Sequence, residues 1–329
     1  MTFSLVLLIV VALAFDFMNG LHDAANSIAT IVSTRVLKPQ YAVIWAAFFN
    51  FAAYFVFGVH VANTVGKGIV EPTLIDDAVV FGALAGAIAW NAITWWGGIP
   101  SSSSHALIGG IIGAGIAKAG FSSIIWSGLS KTLYAIVLSP FTGFVLALLM
   151  VLLVSWLFVR ANPAFADGLF RKVQLVSAAL YSLGHGSNDA QKTAGIISVL
   201  LFSHGVYSEF TVPGWVILSC YAVMGLGTLM GGWRIVHTMG SKITRLTPMQ
   251  GSCAETAGAI TLFSATYMGI PVSTTHTITS SIVGVGAARR LSAVRWNVAT
   301  GIVYAWVITI PAAAMLAASF YGLAKLVGG

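Results

Sequence analysis

The chain contains two polar motifs twice each, and this repetition constrains its fold more than any other feature. A Gly-Ile-Pro sequence followed by hydroxyl residues and a histidine occupies residues 98–105 and again residues 269–276. An Asn- and Asp-containing motif precedes each copy, at 19–26 and 185–192. The copies are 171 residues apart for the first motif and 166 for the second. Two motifs repeated in order at nearly one spacing indicate an internal duplication.

Composition decides which environment this duplicated fold occupies. Of the 329 residues, 58% are hydrophobic and only 8% are charged, whereas soluble domains carry about 25% charged residues. The chain is therefore predicted to be an all-α polytopic membrane protein, and the short loops, together with the family resemblance described below, favour the inner or plasma membrane. Residues 2–15 resemble the start of a mature helix, so we expect no removable signal peptide. The net charge of +7 lies mostly in connections, so we expect no nucleic-acid partner.

Basic residues indicate the orientation. Four connections are rich in Lys and Arg: Arg35/Lys38, Arg160/Arg171/Lys172, Arg234/Lys242/Arg245 and Arg289/Arg290/Arg295. Connections 66–77 and 203–213 lack this bias. If the basic connections are cytoplasmic, both termini are extracytoplasmic.

Two apolar regions do not fit as single crossings. Segments of about 78–118 and 249–288 each begin and end on one side of the membrane in this topology, so each is predicted to be a re-entrant helical hairpin with its Gly-Ile-Pro motif at the tip. One hairpin enters from outside and the other from inside, which gives two inverted-topology repeats. We expect the first repeat at 1–159, a cytoplasmic linker at 160–172 and the second repeat at 173–329.

The two segments that carry the Asp motifs are longer than one span of about 20 residues. Segments 2–34 and 173–202 are therefore expected to be broken helices, with the breaks at Asn19-Gly20 and Gly184–Gly186. Unwound backbone at membrane depth is tolerated where it lines protein or a polar cavity. All four motifs are thus expected to converge near the bilayer midplane.

The hairpin tips have the chemistry of an anion site. Hydroxyl residues that follow a proline are typical helix N-caps, and a helix N-terminus attracts anions. The predicted substrate-binding hydroxyls are Ser101, Ser102, Ser103, Ser104, Ser273, Thr274 and Thr275. Two such tips, without a salt bridge, suit a small tetrahedral oxyanion, and Gln191 is predicted to bind the same substrate. Capping and close helix packing are the alternative roles for these residues.

The Asp motifs have the chemistry of a cation site. Buried carboxylates and amides are hard ligands that suit Na⁺, or a proton on the acid. The predicted coupling-ion residues are Asp23, Asn26, Asn188, Asp189 and Glu255, with Na⁺ at Asp23, Asn26 and Asp189. Glu255 is interpreted as the only other acid inside an apolar run. Because an anion beside two carboxylates is repelled unless cations accompany it, the sequence favours symport; a polar helix–helix contact is the alternative.

These motifs resemble those of the inorganic phosphate transporter (PiT) family. The matching stretches are Gly20–Asn26 and Gly186–Lys192 for the Asp signature, and Pro100–His105 and Pro271–His276 for the hairpins. The resemblance implies phosphate uptake coupled to Na⁺ or H⁺, an inverted-repeat fold with two hairpins, and commonly a homodimer. The chain departs from the family at His22, where an Asn is common.

Other functions compete with phosphate symport. Sulfate is also tetrahedral, but phosphate can donate a hydrogen bond to a mid-membrane carboxyl, which favours phosphate. An intramembrane phosphatase is disfavoured because paired, symmetric motifs do not suit an asymmetric nucleophile and base, and buried acids disfavour an anion channel. We therefore expect a transporter that is not an enzyme and needs no cofactor beyond the co-transported ion. The choice between free phosphate and a metal–phosphate complex stays open.

Overall fold

The computed structural model describes residues 2–67, 70 and 74–328, and helices account for the regular structure of these residues, which contain no β-strand. The described part of the chain forms twelve α-helices. They are α1 Phe3–Ser33, α2 Pro39–Ala52, α3 His60–Lys67, α4 Asp77–Gly97, α5 Ser103–Ala119, α6 Trp126–Leu157, α7 Pro163–Ser203, α8 Gly214–Met230, α9 Trp233–His237, α10 Pro248–Tyr267, α11 Thr274–Arg289 and α12 Trp296–Gly328. The connection at 66–77 lies partly outside the described residues.

The helices form two sets of six in the same order. Each set has a long first helix, a bent pair, two helices joined through a Gly-Ile-Pro motif, and a long last helix with an internal proline, Pro140 in α6 and Pro311 in α12. This order agrees with the predicted duplication. The opposite orientation of the two sets in a bilayer stays a prediction.

Five of the described helices are long and apolar enough to cross a membrane. If each of two bent helix pairs is counted as one further span, the described residues contain up to seven. The bent pairs are Pro39–Phe55 with His60–Gly66, at 83°, and Gly214–Met230 with Trp233–Lys242, at 65°. A π-helical turn, Thr238–Lys242, continues α9. The predicted all-α polytopic membrane fold with broken helices is thus confirmed.

The breaks, however, are not where the sequence placed them. Helices α1 and α7 run without interruption through Asn19-Gly20 and Gly184–Gly186, so that prediction was wrong. The glycines serve close packing instead. A Cβ on Gly20 would lie 2.2 Å from the carbonyl oxygen of Met224 on α8. Helices α1 and α7 stay wound because their polar side chains form hydrogen bonds to neighbouring helices. The site therefore needs no unwound backbone carbonyl groups as ligands.

The two sets of helices interlock. Helices α4 and α5 pack against α12 of the other set, and α10 and α11 pack against α6 of the other set. Helix α7 begins at Pro163, so most of the segment predicted as a linker is the first part of that helix. The apolar core is distributed around α1 and α7, which contact each other and the bent pairs.

Helices α1 and α7 lie antiparallel along a buried polar seam. Thr193 donates to Asp16 at 2.9 Å near one end of the seam, and Thr34 donates to Gln174 at 2.8 Å near the other. Residues 16 and 34 are 18 positions apart, which is about 27 Å along a helix. The seam therefore crosses most of a hydrocarbon layer of about 30 Å, and it places the two Asp motifs side by side.

Candidate functional site

Each Gly-Ile-Pro motif leads into a capped helix N-terminus. The side chain of Ser102 accepts from the backbone N–H of His105 at 3.3 Å, and Ser273 accepts from His276 at 3.2 Å. Helices α5 and α11 begin at the next residue in each case. The free N–H groups of the first turn and the adjacent hydroxyls are buried, so two partly positive helix ends lie inside the protein.

The two tips meet. The rings of His105 and His276 lie edge to face with centroids 4.2 Å apart, and Trp306 of α12 stacks on His276 at 3.8 Å. The Ser104 hydroxyl lies 3.5 Å from the carbonyl oxygen of Val272. The hydroxyl-bearing ends of both hairpins therefore share one buried location.

Asp23 of α1 contacts both tips. Ser103 of the first tip donates to its Oδ1 at 3.1 Å, and Thr275 of the second donates to its Oδ2 at 3.3 Å. His22 Nδ1 lies 2.5 Å from Oδ1. Asp23 thus joins the hairpins through one carboxylate that is 2% exposed.

Asp189 of α7 has a richer set of partners. Lys192 Nζ donates to Oδ1 at 2.6 Å, and Thr274 donates to Oδ2 at 2.9 Å. His185 Nε2 lies 3.2 Å from the same Oδ2. Because the carboxylate is fully buried, an adjacent ammonium group is needed to offset the cost of burying its charge.

Lys192 is a cation at the point where the tips meet. Its ammonium donates to Ser104 at 2.6 Å and to the carbonyl oxygen of Val272 at 2.7 Å, as well as to Asp189. The expectation of an anion site without a salt bridge was therefore wrong. An i+3 spacing places Lys192 and Asp189 on the same helix face, and this spacing is the signal that could have identified the lysine.

Oxygen and nitrogen ligands for a cation lie at the same place. One ligand atom from each of Asp23, His185 and Asp189 lies within 4.8 Å of the others. The Asn26 amide nitrogen donates to Thr275 at 3.0 Å, while its Oδ1 is buried without a hydrogen-bond partner among the described residues. An acceptor oxygen with open valence beside two carboxylates suits Na⁺ or another hard cation.

Three predicted site residues lie at the edge of this cluster or outside it. Gln191 points to α3, where its Oε1 accepts from the backbone N–H of Val61 at 2.9 Å. Asn188 holds the second tip, because its Oδ1 accepts from the N–H of Val272 at 3.2 Å. Ser101 donates to Thr94 of α4 at 2.9 Å.

Glu255 forms a separate buried cluster. Its carboxylate accepts hydrogen bonds from three side chains, Thr30 of α1 and Gln174 and Ser177 of α7. Thr30 lies two helical turns from Asp23 along α1, about 10 Å away. Glu255 is therefore on the same seam as the central site, which comprises the two hairpin tips with Asp23, Asp189 and Lys192, but it lies at a different depth.

Besides Lys192, two buried residues were not predicted from the sequence. Asp16 lies inside the apolar run of α1 and is fully buried, so Glu255 is not the only other acid in such a run. Tyr181 donates to the carbonyl oxygen of Thr274 at 2.9 Å and supports the second tip. Asp16 was detectable from its spacing of seven residues from Asp23, which places both on one helix face.

Comparisons with known proteins agree with this geometry. A family model described as "Phosphate transporter family" matches residues 19–169 and 162–317. The "Probable low-affinity inorganic phosphate transporter" of Rhizobium meliloti (strain 1021) is 70% identical, over 98% of this chain and 97% of its own length. A protein of the same name from Bacillus subtilis (strain 168) is 46% identical over 98% and 97%. A solved structure, "The sodium-dependent phosphate transporter", superposes with a TM-score of 0.90 at 25% identity over 99% of this chain and 100% of that one.

Proposed function

The chain belongs to the phosphate transporter family, and we propose that it is a symporter that carries inorganic phosphate across the membrane together with Na⁺ or H⁺. Its relatives are named as transporters, which supports transport rather than catalysis. The observation that carries the proposal is the meeting of two hydroxyl-bearing helix ends at two buried aspartates.

Phosphate would bind between the tips. Ser103 and Thr275 donate to Asp23 in this structure, and Thr274 donates to Asp189. Rotation about Cα–Cβ turns such hydroxyls towards a bound oxyanion without moving the backbone. The two helix N-termini supply about half a positive charge each, and Lys192 supplies one more. These donors suit the oxygens of a tetrahedral anion.

The aspartates explain why a cation must accompany the anion. Asp23 and Asp189 repel phosphate while they are ionised and free of a bound cation. A cation held by Asp23, Asn26 and Asp189 removes this repulsion, so binding of the two charges is mutually favourable. Symport follows from this linkage, and a divalent metal–phosphate complex is a cargo that would satisfy the same charges.

Orientation and assembly form part of the proposal. The basic connections favour cytoplasmic placement, which puts both termini outside the inner or plasma membrane. The resemblance to the family favours a homodimer. Cysteine substitutions at Lys242 and at Asp76, labelled with a membrane-impermeant reagent in intact cells, test the orientation; labelling at 76 and protection at 242 are expected.

Uptake of radiolabelled phosphate into proteoliposomes tests the central proposal. Na⁺ and pH gradients are applied in turn, and gradient-dependent accumulation is expected. Asp23→Asn and Asp189→Asn each abolish accumulation if the carboxylates couple the ions. Asp167→Asn, which removes an exposed acid paired with Arg171, is the matched control and leaves uptake intact.

Three results would change the proposal. Efficient competition by sulfate would favour the broader class of oxyanion transporters. Release of phosphate from a phosphoester by the purified protein would favour an enzyme. Full accumulation in both aspartate variants would reject their role in coupling.

A further inference from the structure

Asp16 is a buried acid that the central site does not use. It lies on α1 and is 0% exposed. Thr193 of α7 donates to its Oδ1 at 2.9 Å, whereas Oδ2 is buried without a hydrogen-bond partner. Asp16 takes part in none of the ion pairs among the described residues. Its situation thus differs from that of Asp189, which has a lysine and a histidine beside it.

The groups that face Asp16 provide no compensating cation. The titratable side chains near it on α7 and α8 are Asp189, Cys220 and Tyr221. The only titratable side chain of α4, which also packs against α1, is Asp77 at its start. The Lys192 ammonium is occupied by Asp189, Ser104 and Val272. An ionised carboxylate in such surroundings is costly, and a bound proton removes the charge.

Neighbouring polar atoms also fit a protonated acid. One further buried oxygen beside it, Asn19 Oδ1, has no hydrogen-bond partner among the described residues, whereas the Tyr221 hydroxyl and the Gln191 amide lie within hydrogen-bonding reach of each other. Asn19 follows Asp16 by three positions, which places both side chains on one face of α1. An ionised carboxylate only accepts hydrogen bonds, whereas a protonated one also donates. The Asn19 side chain lies within hydrogen-bonding reach of the Asp16 carboxyl, so a proton on Asp16 adds a donor beside an amide oxygen that lacks one.

A metal ion fits this position poorly. Hard cations take about six oxygen ligands, and Asp16 belongs to no group of three or more His, Cys, Asp or Glu side chains that could hold a metal ion among the described residues. The central site, in contrast, gathers Asp23, His185 and Asp189 within 4.8 Å. The environment of Asp16 thus selects a proton rather than Na⁺.

We propose that Asp16 is the site that binds a proton carried with phosphate. This inference rests on the proposed function and names H⁺ as a coupling ion, bound apart from the cation site at Asp23, Asn26 and Asp189. The proton enters from the external side with phosphate and leaves to the cytoplasm with it. Asp16 is seven residues from Asp23, about 10 Å along α1. With an effective dielectric constant of about 20, a charge at this distance changes phosphate affinity about tenfold, so protonation of Asp16 favours phosphate binding.

Uncoupling by Asp16→Asn tests this site. The amide is isosteric and neutral, keeps an acceptor for Thr193, and carries no exchangeable coupling proton. Wild-type proteoliposomes are expected to accumulate phosphate under an inward proton gradient with an inside-negative potential. Each coupled proton raises the limit of accumulation about 50-fold per 100 mV, and Asp16→Asn loses this factor. Phosphate counterflow at equal pH and without potential persists, because the hydroxyl tips are unchanged.

Controls make each outcome decisive. Thr193→Val removes the hydrogen bond but keeps the carboxyl, so coupling persists. Accumulation in Asp16→Asn at the wild-type level overturns the inference. If Asp16→Asn loses counterflow as well, Asp16→Glu is measured; failure of this carboxyl-bearing variant to accumulate phosphate also overturns it. Wild-type accumulation driven by Na⁺ alone refutes the proton site and leaves the proposed function standing, whereas absence of all phosphate transport in wild type refutes the proposed function.

Discussion

Gly186 of α7 lies directly against the backbone of Asn50 on α2, and a Cβ on the glycine would be 2.3 Å from the Asn50 carbonyl oxygen. This approach brings the bent α2–α3 pair close to the Asp189 motif. The neighbouring His185 Nδ1 lies 3.3 Å from Asn50 Oδ1. The close packing therefore also positions a histidine of the central site.

Gly186→Ala is expected to destabilise the protein and to impair transport. The contact is with backbone, which cannot move aside as a flexible side chain can, and overpacking of this kind costs about 1–3 kcal/mol. Gly168→Ala is the matched control on the same helix, since nothing lies within 4 Å of its added Cβ. That control should be neutral or more stable by up to about 1 kcal/mol. Thermal unfolding of the purified variants measures both, and equal midpoints would contradict the prediction.

Removal of Lys192 tests whether the buried ion pair with Asp189 governs stability as well as function. Lys192→Met leaves a fully buried carboxylate without its ammonium partner, which costs about 3–5 kcal/mol. The double variant Lys192→Met/Asp189→Leu replaces both charges by apolar groups and should recover most of this loss. Transport is expected to be absent in both variants, because each lacks the ammonium between the tips and the double variant also lacks the Asp189 carboxylate. Additive losses of stability in the double variant would show that the two charges do not act as a pair.

Local chemistry explains how well the sequence predicted the hairpins. Proline followed by hydroxyl residues signals a helix start, and the helices around the tips, Asp77–Gly97 with Ser103–Ala119 and Pro248–Tyr267 with Thr274–Arg289, occupy the segments expected for the hairpins. The prediction of helix breaks in α1 and α7 was wrong because glycine has two structural roles. It can interrupt a helix or let another backbone approach, and only the neighbouring helix decides between them.

The sequence assigned residues to the wrong site where their contacts depend on the direction in which a side chain points from its helix. Gln191 and Lys192 are adjacent in sequence, yet successive residues point about 100° apart, so one reaches α3 and the other reaches the tips. Asp16 was missed for a different reason. Its counterpart 166 positions later is Ser182, so a search based on repeated motifs could not find it.

Glu255→Gln is expected to weaken the contact between α10 and the α1–α7 seam. Three donors, Thr30, Gln174 and Ser177, point at the carboxylate. An amide replaces one acceptor oxygen by a donor, so at least one of these groups loses its partner, at a cost of about 1–3 kcal/mol. Thr34→Val, which removes the hydroxyl that bonds Gln174 and the Ile31 carbonyl of its own helix but leaves Glu255 with its three donors, should cost about 1 kcal/mol. Unfolding midpoints compare the two, and a larger loss in Thr34→Val would be incompatible with this account.

An ion pair joins the two ends of the first hairpin. Asp76 caps α4 by accepting from the N–H of Val79 at 2.9 Å, and Lys118 near the end of α5 donates to it at 2.8 Å. Partial burial alone would raise the pKa of Asp76, but the hydrogen bonds from Lys118 and Val79 and the nearby lysine charges together lower it below its ordinary value of 3.8. The carboxylate thus stabilises the joined ends of the two helices while it is ionised.

Asp76→Asn should therefore lower stability in a way that depends on pH. Because the folded pKa lies below the unfolded one, the contribution of Asp76 is complete above about pH 4 and is lost as pH falls through the folded pKa. At neutral pH the variant is less stable by about 1 kcal/mol, as for loss of a partly exposed ion pair. Unfolding midpoints of wild type and variant should converge below pH 4. Asp167→Asn, whose exposed pair with Arg171 lies within one helix, serves as the control with a smaller effect of about 0.3–0.5 kcal/mol. A difference between wild type and Asp76→Asn that grows as the pH falls would contradict the assigned direction.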